Sequence, residues 1–246
     1  MILASAQTSP KRGDILENLL DHYRLIKLAS EEGVELIVFP EMSISGYEHD
    51  KADSLAFSEN DPRLDQLRNL AADHKMIIIA GAPIKIADEL FIGTFNLYPN
   101  HSVSIYTKQF LHPGEEVFFQ STFDHNPMIK LEDEQVSLAI CADIDHPLHP
   151  ENAKKAGSTI YIASIFFSPN GIPNAHHSLS SYAKEHSLNV LMSNFSGESW
   201  GSPAGGRSAF WNNNGSLIAE MDDSSTGLLI VENNNNIWTG KVLNQK

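Results

Sequence analysis

Three residues whose side chains can carry out acyl chemistry follow apolar segments of this 246-residue chain. Glu41 comes after an apolar run that begins at Val34, Lys108 follows a second such segment, and Cys141, the only cysteine, follows Val136–Ile140. A carboxylate can take up a proton, an ammonium group can stabilise a developing negative charge, and a thiolate can attack a carbonyl carbon. Because a free thiol has a pKa of about 8.5, Cys141 would need a neighbouring base or cation. The three residue types together predict covalent catalysis through the cysteine.

Each of the three residues has an ordinary interpretation when it is considered alone. A single cysteine beside apolar residues is usually a small core side chain. Glu41 could cap a helix, and Lys108 could be a solvated surface lysine. Active sites of α/β folds lie beyond the carboxyl ends of their strands, so three reactive residues at three strand ends favour a shared site. We therefore expect adjacent parallel strands to bring Glu41, Lys108 and Cys141 to one edge of a sheet.

Strands and helices alternate along the chain, which predicts an α/β architecture. The run Ile2–Ala6 predicts a buried strand, Asp14 with Glu17 in capping-box position predicts a helix start, and Gly33 ends that helix. A second helix starts at Asp61-Pro62. The remaining predicted elements are strands at Val34–Phe39, Met76–Ala80, Leu90–Tyr106 (two strands turning at Pro99-Asn100), Val136–Ile140, Thr159–Ala163, Val190–Met192, Ala209–Trp211, Leu217–Met221 and Gly227–Val231, helices near His149–Gly157 and His176–His186, and a surface turn at Asn233–Asn236. No repeat or long linker interrupts this pattern, so we expect one domain over residues 1–246.

Composition excludes several classes of protein. The chain has 31 acidic and 17 basic residues and a net charge of −14, which argues against binding to nucleic acid or to an anionic membrane. One cysteine cannot form an internal disulfide. The first ten residues do not resemble a signal peptide, and no apolar run reaches the roughly 20 residues of a membrane span. These observations predict a cytoplasmic protein.

Three segments resemble the signatures of the nitrilase (carbon–nitrogen hydrolase) superfamily. Phe39–Tyr47 resembles the first, Tyr106–Lys108 with the loop to Glu115 the second, and Ile140–Asp143 the third. The resemblance extends to Ala4–Gln7, Asn194 and Gly205–Ser208. One departure is that the family often has an aromatic residue, an acid and an Arg-Phe-Pro-Glu run after the cysteine, whereas this chain has Ala-Asp-Ile-Asp-His-Pro.

The resemblance implies a fold and an activity. The fold is a four-layer αββα sandwich with two central mixed sheets flanked by helices, formed by a single carbon–nitrogen hydrolase domain. The activity is hydrolysis of a non-peptide C–N bond in a small linear amide, of the ω-amide or N-carbamoyl type, through a cysteine thioester with release of ammonia or an amine. The family usually forms homodimers, so a homodimer or a larger homo-oligomer is expected, with a small-molecule amide as the only other partner.

The resemblance also implies a role for each matched residue. Glu41 is the general base, Cys141 the nucleophile, and Lys108 stabilises the oxyanion together with the backbone N–H of Ala142. Glu115 orients the substrate or Lys108, with Glu116 as the alternative one residue along. Two more residues are expected near the substrate, namely Asn194 and Arg207, although Arg207 fits an exposed arginine after a glycine turn equally well.

Other functions remain open at this stage. Nitrile hydrolysis and acyl transfer would use the same three residues, and a non-catalytic binding protein could keep the fold. Asp143, Asp145, His146 and His149 lie near Cys141, but their spacing fits no standard zinc pattern, so we expect no metal and no cofactor and interpret this stretch as polar surface. A papain-like Cys–His pair is disfavoured because Cys141 follows a strand instead of starting a helix.

Overall fold

Seven strands form the first of two mixed sheets in the computed structural model, which describes residues 1–245. They are β1 (Ile2–Gln7), β2 (Leu36–Val38), β3 (Ile77–Ile86), β4 (Glu89–Leu97), β5 (Val103–Thr107), β14 (Gly227–Asn234) and β15 (Ile237–Asn244). Their order is β15-β14-β1-β2-β3-β4-β5, with β1, β2 and β3 parallel and the other neighbouring pairs antiparallel. Strands β2 and β5 therefore run in the same direction, and their carboxyl ends lie at the same end of this sheet.

Six strands form the second sheet. They are β6 (Ile129–Leu131), β7 (Glu134–Ile140), β8 (Ile160–Ser164), β9 (Asn189–Ser193), β12 (Ala209–Trp211) and β13 (Leu217–Glu220). Their order is β13-β12-β9-β8-β7-β6, and β7, β8 and β9 are parallel. A separate two-stranded hairpin, β10 (Glu198–Ser199) with β11 (Ser202–Pro203), follows β9.

Five α-helices pack around the two sheets in residues 1–245. They are α1 (Ile15–Glu31), α2 (Ala52–Leu55), α3 (Asp65–His74), α4 (Leu148–Lys155) and α5 (Ile172–His186). Helices α1 and α3 pack on the first sheet, and α5 packs on the second. No helix within residues 1–245 combines the length and the apolarity that crossing a bilayer requires.

Three apolar clusters separate these layers. In β2, Leu36 and Val38 face the cluster between the two sheets, whereas Ile37 faces the cluster beneath α1 and α3. In β8, Ile162 faces the inner cluster and Tyr161 the one beneath α5. Successive strand residues point to opposite faces, so apolar runs without alternation are required when both faces are covered. The layers confirm the expected αββα sandwich with two central mixed sheets flanked by helices.

Local signals placed most helix ends correctly. Asp14 caps α1 by accepting the Glu17 N–H at 3.2 Å, and Gly33 follows the end of this helix with φ of 71°. Helix α5 starts at Ile172, four residues before the predicted His176, because Pro173 is accommodated in its first turn. Strands β6 and β15 were not predicted. The exposed edge strand β15 lacks the apolar run that marks a covered strand.

One prediction about the sheets was wrong. Glu41 and Lys108 follow strands of the first sheet, but Cys141 follows β7 of the second. Even β2 and β5 are separated by β3 and β4. The three residues therefore meet where the strand ends of two stacked sheets face each other, and not along one sheet edge.

Candidate active site

The loop that carries Glu41 crosses closely over strand β3. A Cβ atom added at Gly81 would lie 2.4 Å from the backbone N of Met42 and 2.7 Å from the carbonyl oxygen of Pro40, so only glycine allows this approach. Ser43 joins the same contact, because the Gly81 N–H donates to its hydroxyl at 3.3 Å and the hydroxyl pairs with Nε2 of the buried His22 at 2.9 Å. The position of Glu41 is thus set by backbone contact with β3.

Lys108 joins two carboxylates in the interior. Its Nζ atom donates to Oε1 of Glu41 and to Oε1 of Glu115, both at 2.8 Å, and all three side chains are essentially inaccessible to solvent. Burial alone would lower the pKa of Lys108, but the negative charge of Glu41 and the other acidic groups outweighs burial and raises it. Lys108 therefore stays a cation.

The second glutamate of the cluster is Glu115. A short 3-10 turn, Glu115–Val117, follows Gly114, whose φ of 98° turns the chain so that Glu115 points inward. The other oxygen of Glu115 accepts the backbone N–H of His112 at 2.7 Å. Glu116 lies outside and accepts the N–H of Gly114 at 2.6 Å.

Glu41 has one carboxylate oxygen committed to Lys108 and one free. Oε2 is buried and has no hydrogen-bond partner among residues 1–245. Burial raises the pKa of Glu41 to about 7, in opposition to the attraction of Lys108. The Cys141 thiol is close enough to Glu41 for each group to influence the pKa of the other. A carboxyl group with this pKa can both accept and return a proton near neutral pH.

Cys141 lies at a sharp change of backbone direction. Strand β7 ends at Ile140, and Cys141 has φ of 44° at the start of the 3-10 turn Cys141–Asp145. A cysteine rarely adopts positive φ, and such positions cluster at functional sites. The Sγ atom points at the carbonyl oxygen of Phe166, 3.7 Å away. Burial and then the charge of Glu41 raise the pKa of Cys141 well above its usual range, so the resting group is a neutral thiol.

Asp143 connects the turn at Cys141 to the loop at Lys108. One of its oxygens accepts the N–H groups of Gln109 (3.0 Å) and Phe110 (2.8 Å), and the other accepts the N–H of Ile140 (2.8 Å) and the hydroxyl of Tyr106 (2.7 Å). Three of these donors lie in or just after β5 of the first sheet, whereas Ile140 is the last residue of β7 in the second sheet. The Asp143 carboxylate therefore links the segment that carries Lys108 to the segment that carries Cys141. The interpretation of this stretch as polar surface was wrong for Asp143, which is fully buried.

A buried histidine extends the Asp143 network. Nε2 of His149 lies 2.9 Å from the Tyr106 hydroxyl, and Nδ1 lies 2.8 Å from the Tyr161 hydroxyl. Because Tyr106 donates to Asp143, its oxygen can accept from Nε2–H, and Tyr161 can donate to Nδ1. Burial lowers the pKa of His149, in agreement with this neutral form.

An aromatic wall lies beside the Lys108 cluster and was not predicted as part of the site. The Tyr47 hydroxyl donates to Oε1 of Glu115, and the Tyr47 ring lies 5.1 Å from the ring of Phe166 and 4.1 Å from that of His49. Trp200, at the turn between β10 and β11, lies 4.8 Å from His49 between ring centroids. Tyr47 belongs to the first signature segment, but its type alone is equally typical of a core position.

The other three predicted site residues make different contacts from one another. Ala142 directly follows Cys141, in the first turn of a helix, where N–H groups lack partners within the helix. The amide of Asn194 bonds to the backbone of Phe167 at 3.0 and 3.2 Å and to the carbonyl oxygen of Gly206 at 2.9 Å. Arg207 pairs with Glu220 and its backbone contacts helix α5. A substrate contact by Asn194 or Arg207 remains a prediction.

Comparison with known proteins identifies the family. The family model described as "Carbon-nitrogen hydrolase" matches residues 2–237. The chain belongs to the carbon–nitrogen hydrolase family. This confirms the resemblance to the nitrilase superfamily and supports hydrolysis of a C–N bond as the general activity.

Proteins similar to this chain are named for different functions. The chain is 28% identical over 179 residues to the glutamine-dependent NAD(+) synthetase of Thermotoga maritima, a match that covers 67% of this chain but 29% of the synthetase. It is 23% identical over 209 residues to the "Hydrolase in agr operon" of Staphylococcus aureus, covering 83% of this chain and 80% of that protein. In fold it is similar to the NitN amidase from Neterenkonia sp. AN1, with a TM-score of 0.85, 22% identity and coverage of 96% of this chain and 93% of the amidase.

Proposed function

We propose that this carbon–nitrogen hydrolase is an amidase that cleaves small linear amides, of the ω-amide or N-carbamoyl type, through a thioester on Cys141. The observation that carries the proposal is the buried cluster around Lys108, in which Oε1 of Glu41 accepts a hydrogen bond from the lysine. Oε2 of Glu41 has no hydrogen-bond partner among residues 1–245 and is near Cys141, the only thiol of the chain. The structural similarity to an amidase supports the same reaction class.

In the acylation half of the reaction, Glu41 removes the proton from Cys141 as Sγ attacks the amide carbon. The carbonyl oxygen becomes an oxyanion, which the ammonium group of Lys108 and the N–H of Ala142 stabilise. Removing one such donor typically costs about 3–4 kcal/mol of transition-state stabilisation. Glu41 then returns the proton to the nitrogen, the C–N bond breaks, and ammonia or an amine leaves while the acyl group stays on sulfur.

In the hydrolytic half, Glu41 removes a proton from a water molecule that attacks the thioester. The second oxyanion occupies the same place near Lys108. It collapses by breaking the C–S bond, and Glu41 returns its proton to the sulfur. Glu115 keeps Lys108 in position throughout, because its Oε1 atom holds the ammonium group opposite Glu41.

Intact-protein mass spectrometry tests the proposal most directly. Wild type and Cys141→Ala are incubated with a panel of linear amides, nitriles and glutamine, and released ammonia is measured in parallel. We expect a mass increase equal to the acyl group and ammonia release with wild type, and neither with Cys141→Ala. Ammonia release that persists in Cys141→Ala would refute the thioester, and reaction with nitriles alone would refute amide hydrolysis.

Glutamine hydrolysis is a second candidate function. It is favoured by the similarity to glutamine-dependent NAD(+) synthetases, of which this chain spans less than a third of the length. In that case glutamine would be the amide of the panel that gives a glutamyl adduct and the highest kcat/KM.

A further inference from the structure

His49 is a buried polar side chain to which the proposed reaction assigns no role. Only 6% of its surface is exposed, and its Nε2 atom has no hydrogen-bond partner within residues 1–245. A buried donor or acceptor without a partner is costly, so such an atom at an active site points to a ligand group that completes it.

The contacts of His49 place it on the side of the site where the acyl part of a bound amide would lie. Tyr47 lies between the two sites, because its hydroxyl donates to Glu115 and its ring packs on His49. Phe166 packs against the other side of Tyr47, and its carbonyl oxygen accepts from Cys141. Contacts through Phe166 and Tyr47 thus connect Cys141 to His49. An acyl chain on Cys141 that runs along Tyr47 would approach His49.

The walls around His49 are aromatic. The ring of Trp200 lies 4.8 Å from that of His49 and is tilted by 33°, and the rings of Phe118 and Phe119 lie at 5.8 and 5.7 Å. Trp200 and Phe118 are 47% and 41% exposed, so both reach the surface. Aromatic walls bind apolar chains and leave His49 as the polar contact on this side.

Two cations beside this wall already have carboxylate partners. Lys108 is held by Glu41 and Glu115, and Arg12 makes two bonds of 2.8 Å to the buried Glu48. Burial lowers the pKa of His49, so its imidazole is neutral at pH 7. A carboxylate on the acyl chain would thus lose hydration without gaining an ion pair from an uncommitted Lys108, Arg12 or His49.

On the basis of the proposed amidase function, we propose that the site selects uncharged amides whose acyl chain carries a hydrogen-bonding oxygen, and that His49 binds this oxygen through its unpartnered Nε2 atom. His49 is then a specificity-determining residue. This narrows the proposed function to its uncharged substrates, and it disfavours glutamine and those ω-amides and N-carbamoyl compounds that carry a carboxylate.

Three amides of similar length test the inference. 4-Oxopentanamide carries the oxygen, 4-methylpentanamide has a methyl group in its place, and 5-amino-5-oxopentanoate carries a carboxylate. The variants are His49→Phe, which removes the hydrogen bond, His49→Gln, which keeps one, and His177→Phe, a matched change at an exposed histidine of helix α5. The quantity measured is the ratio of kcat/KM between two substrates for one variant, which cancels any loss of folded enzyme.

We expect wild type and His177→Phe to prefer 4-oxopentanamide over 4-methylpentanamide by about tenfold, as one hydrogen bond provides. His49→Phe should bring this ratio to one or below, and His49→Gln should retain part of it. An unchanged ratio in His49→Phe, or a carboxylate substrate as good as 4-oxopentanamide, would overturn the inference while amide hydrolysis itself stands. If wild type hydrolyses no amide and forms no thioester, the proposed function fails and the inference fails with it.

Discussion

Replacing Glu41 by glutamine should disable catalysis and at the same time make Cys141 more reactive toward alkylation. The glutamine side chain has nearly the same shape and its amide oxygen can still accept from Lys108, so the change removes mainly the charge. After burial, the charge of Glu41 is the largest influence that raises the pKa of Cys141. Without this charge, Lys108 faces one buried carboxylate instead of two, and the thiolate is better stabilised.

The size of the effect follows from the repulsion between the two groups. For unit charges about 4–6 Å apart at an effective dielectric constant of about 20, the repulsion is about 3–4 kcal/mol, or roughly two to three pKa units for Cys141. As long as the pKa of Cys141 remains above the assay pH, the thiolate population rises about tenfold for each unit by which this pKa falls. A less basic thiolate is also a weaker nucleophile, with a Brønsted slope of about 0.4–0.5, which leaves a net gain of about 10- to 60-fold in alkylation rate.

The assay is alkylation by iodoacetamide at pH 8, followed by intact mass, alongside amide hydrolysis. Cys141 is the only cysteine, so every adduct reports on this site. Hydrolysis should fall by about 10²- to 10⁴-fold, because the general base is lost. The difference in alkylation should shrink below pH 7, where Glu41 of wild type becomes protonated and neutral. The exposed Glu116→Gln serves as control, and slower alkylation of Glu41→Gln than of wild type at pH 8 would refute the reasoning.

Three other outcomes are expected. The kcat/KM for amide hydrolysis should fall about tenfold per pH unit below pH 7, because Glu41, with a pKa of about 7, must be ionised to accept a proton; a profile that stays flat from pH 5 to 8 would contradict this role. Asp143→Asn should lower the free energy of unfolding by about 1–3 kcal/mol in urea titrations, because an amide nitrogen cannot accept from the donors it would face; an unchanged midpoint would show that the network is not required. Gly81→Ala should cost about 1–3 kcal/mol of stability and reduce hydrolysis, because its Cβ would displace the backbone at Met42; unchanged kinetics would mean that the loop of Glu41 relaxes without cost.

Much of the fold could be predicted because burial leaves a clear pattern. Strands covered on both faces need apolar side chains in succession, and β2, β7 and β8 were found in this way. The assignment of strands to sheets could not be predicted. It depends on packing between distant parts of the chain, and apolar runs such as Leu36–Val38 and Leu138–Ile140 look alike whichever sheet they join.

The site was predictable in its reactive residues and in Glu115, but not in Asp143 or the aromatic wall. Glu41, Lys108 and Cys141 stand at strand ends with distinct chemistry. Glu115 was predicted with Glu116 as the alternative, and the backbone conformation at Gly114, which a list of residues does not specify, decides which of the two points inward. Asp143 could have been suspected from its place two residues after Cys141, since a tight turn there folds an acid back onto the strand end.

The pairing of β1 with β14 also has consequences for how the protein is made. Ile2 lies opposite Glu232 and Gln7 opposite Gly227. Because β1 is an inner strand of the first sheet, it cannot complete its hydrogen bonding until β14, more than 200 residues later in the chain, has been synthesised. At synthesis rates of about 5–20 residues per second, that delay is roughly 10 to 45 s. During this time one edge of β1 is open to pairing with other chains. We therefore expect residues 2–7 to be a site of chaperone binding until β14 and β15 have been synthesised.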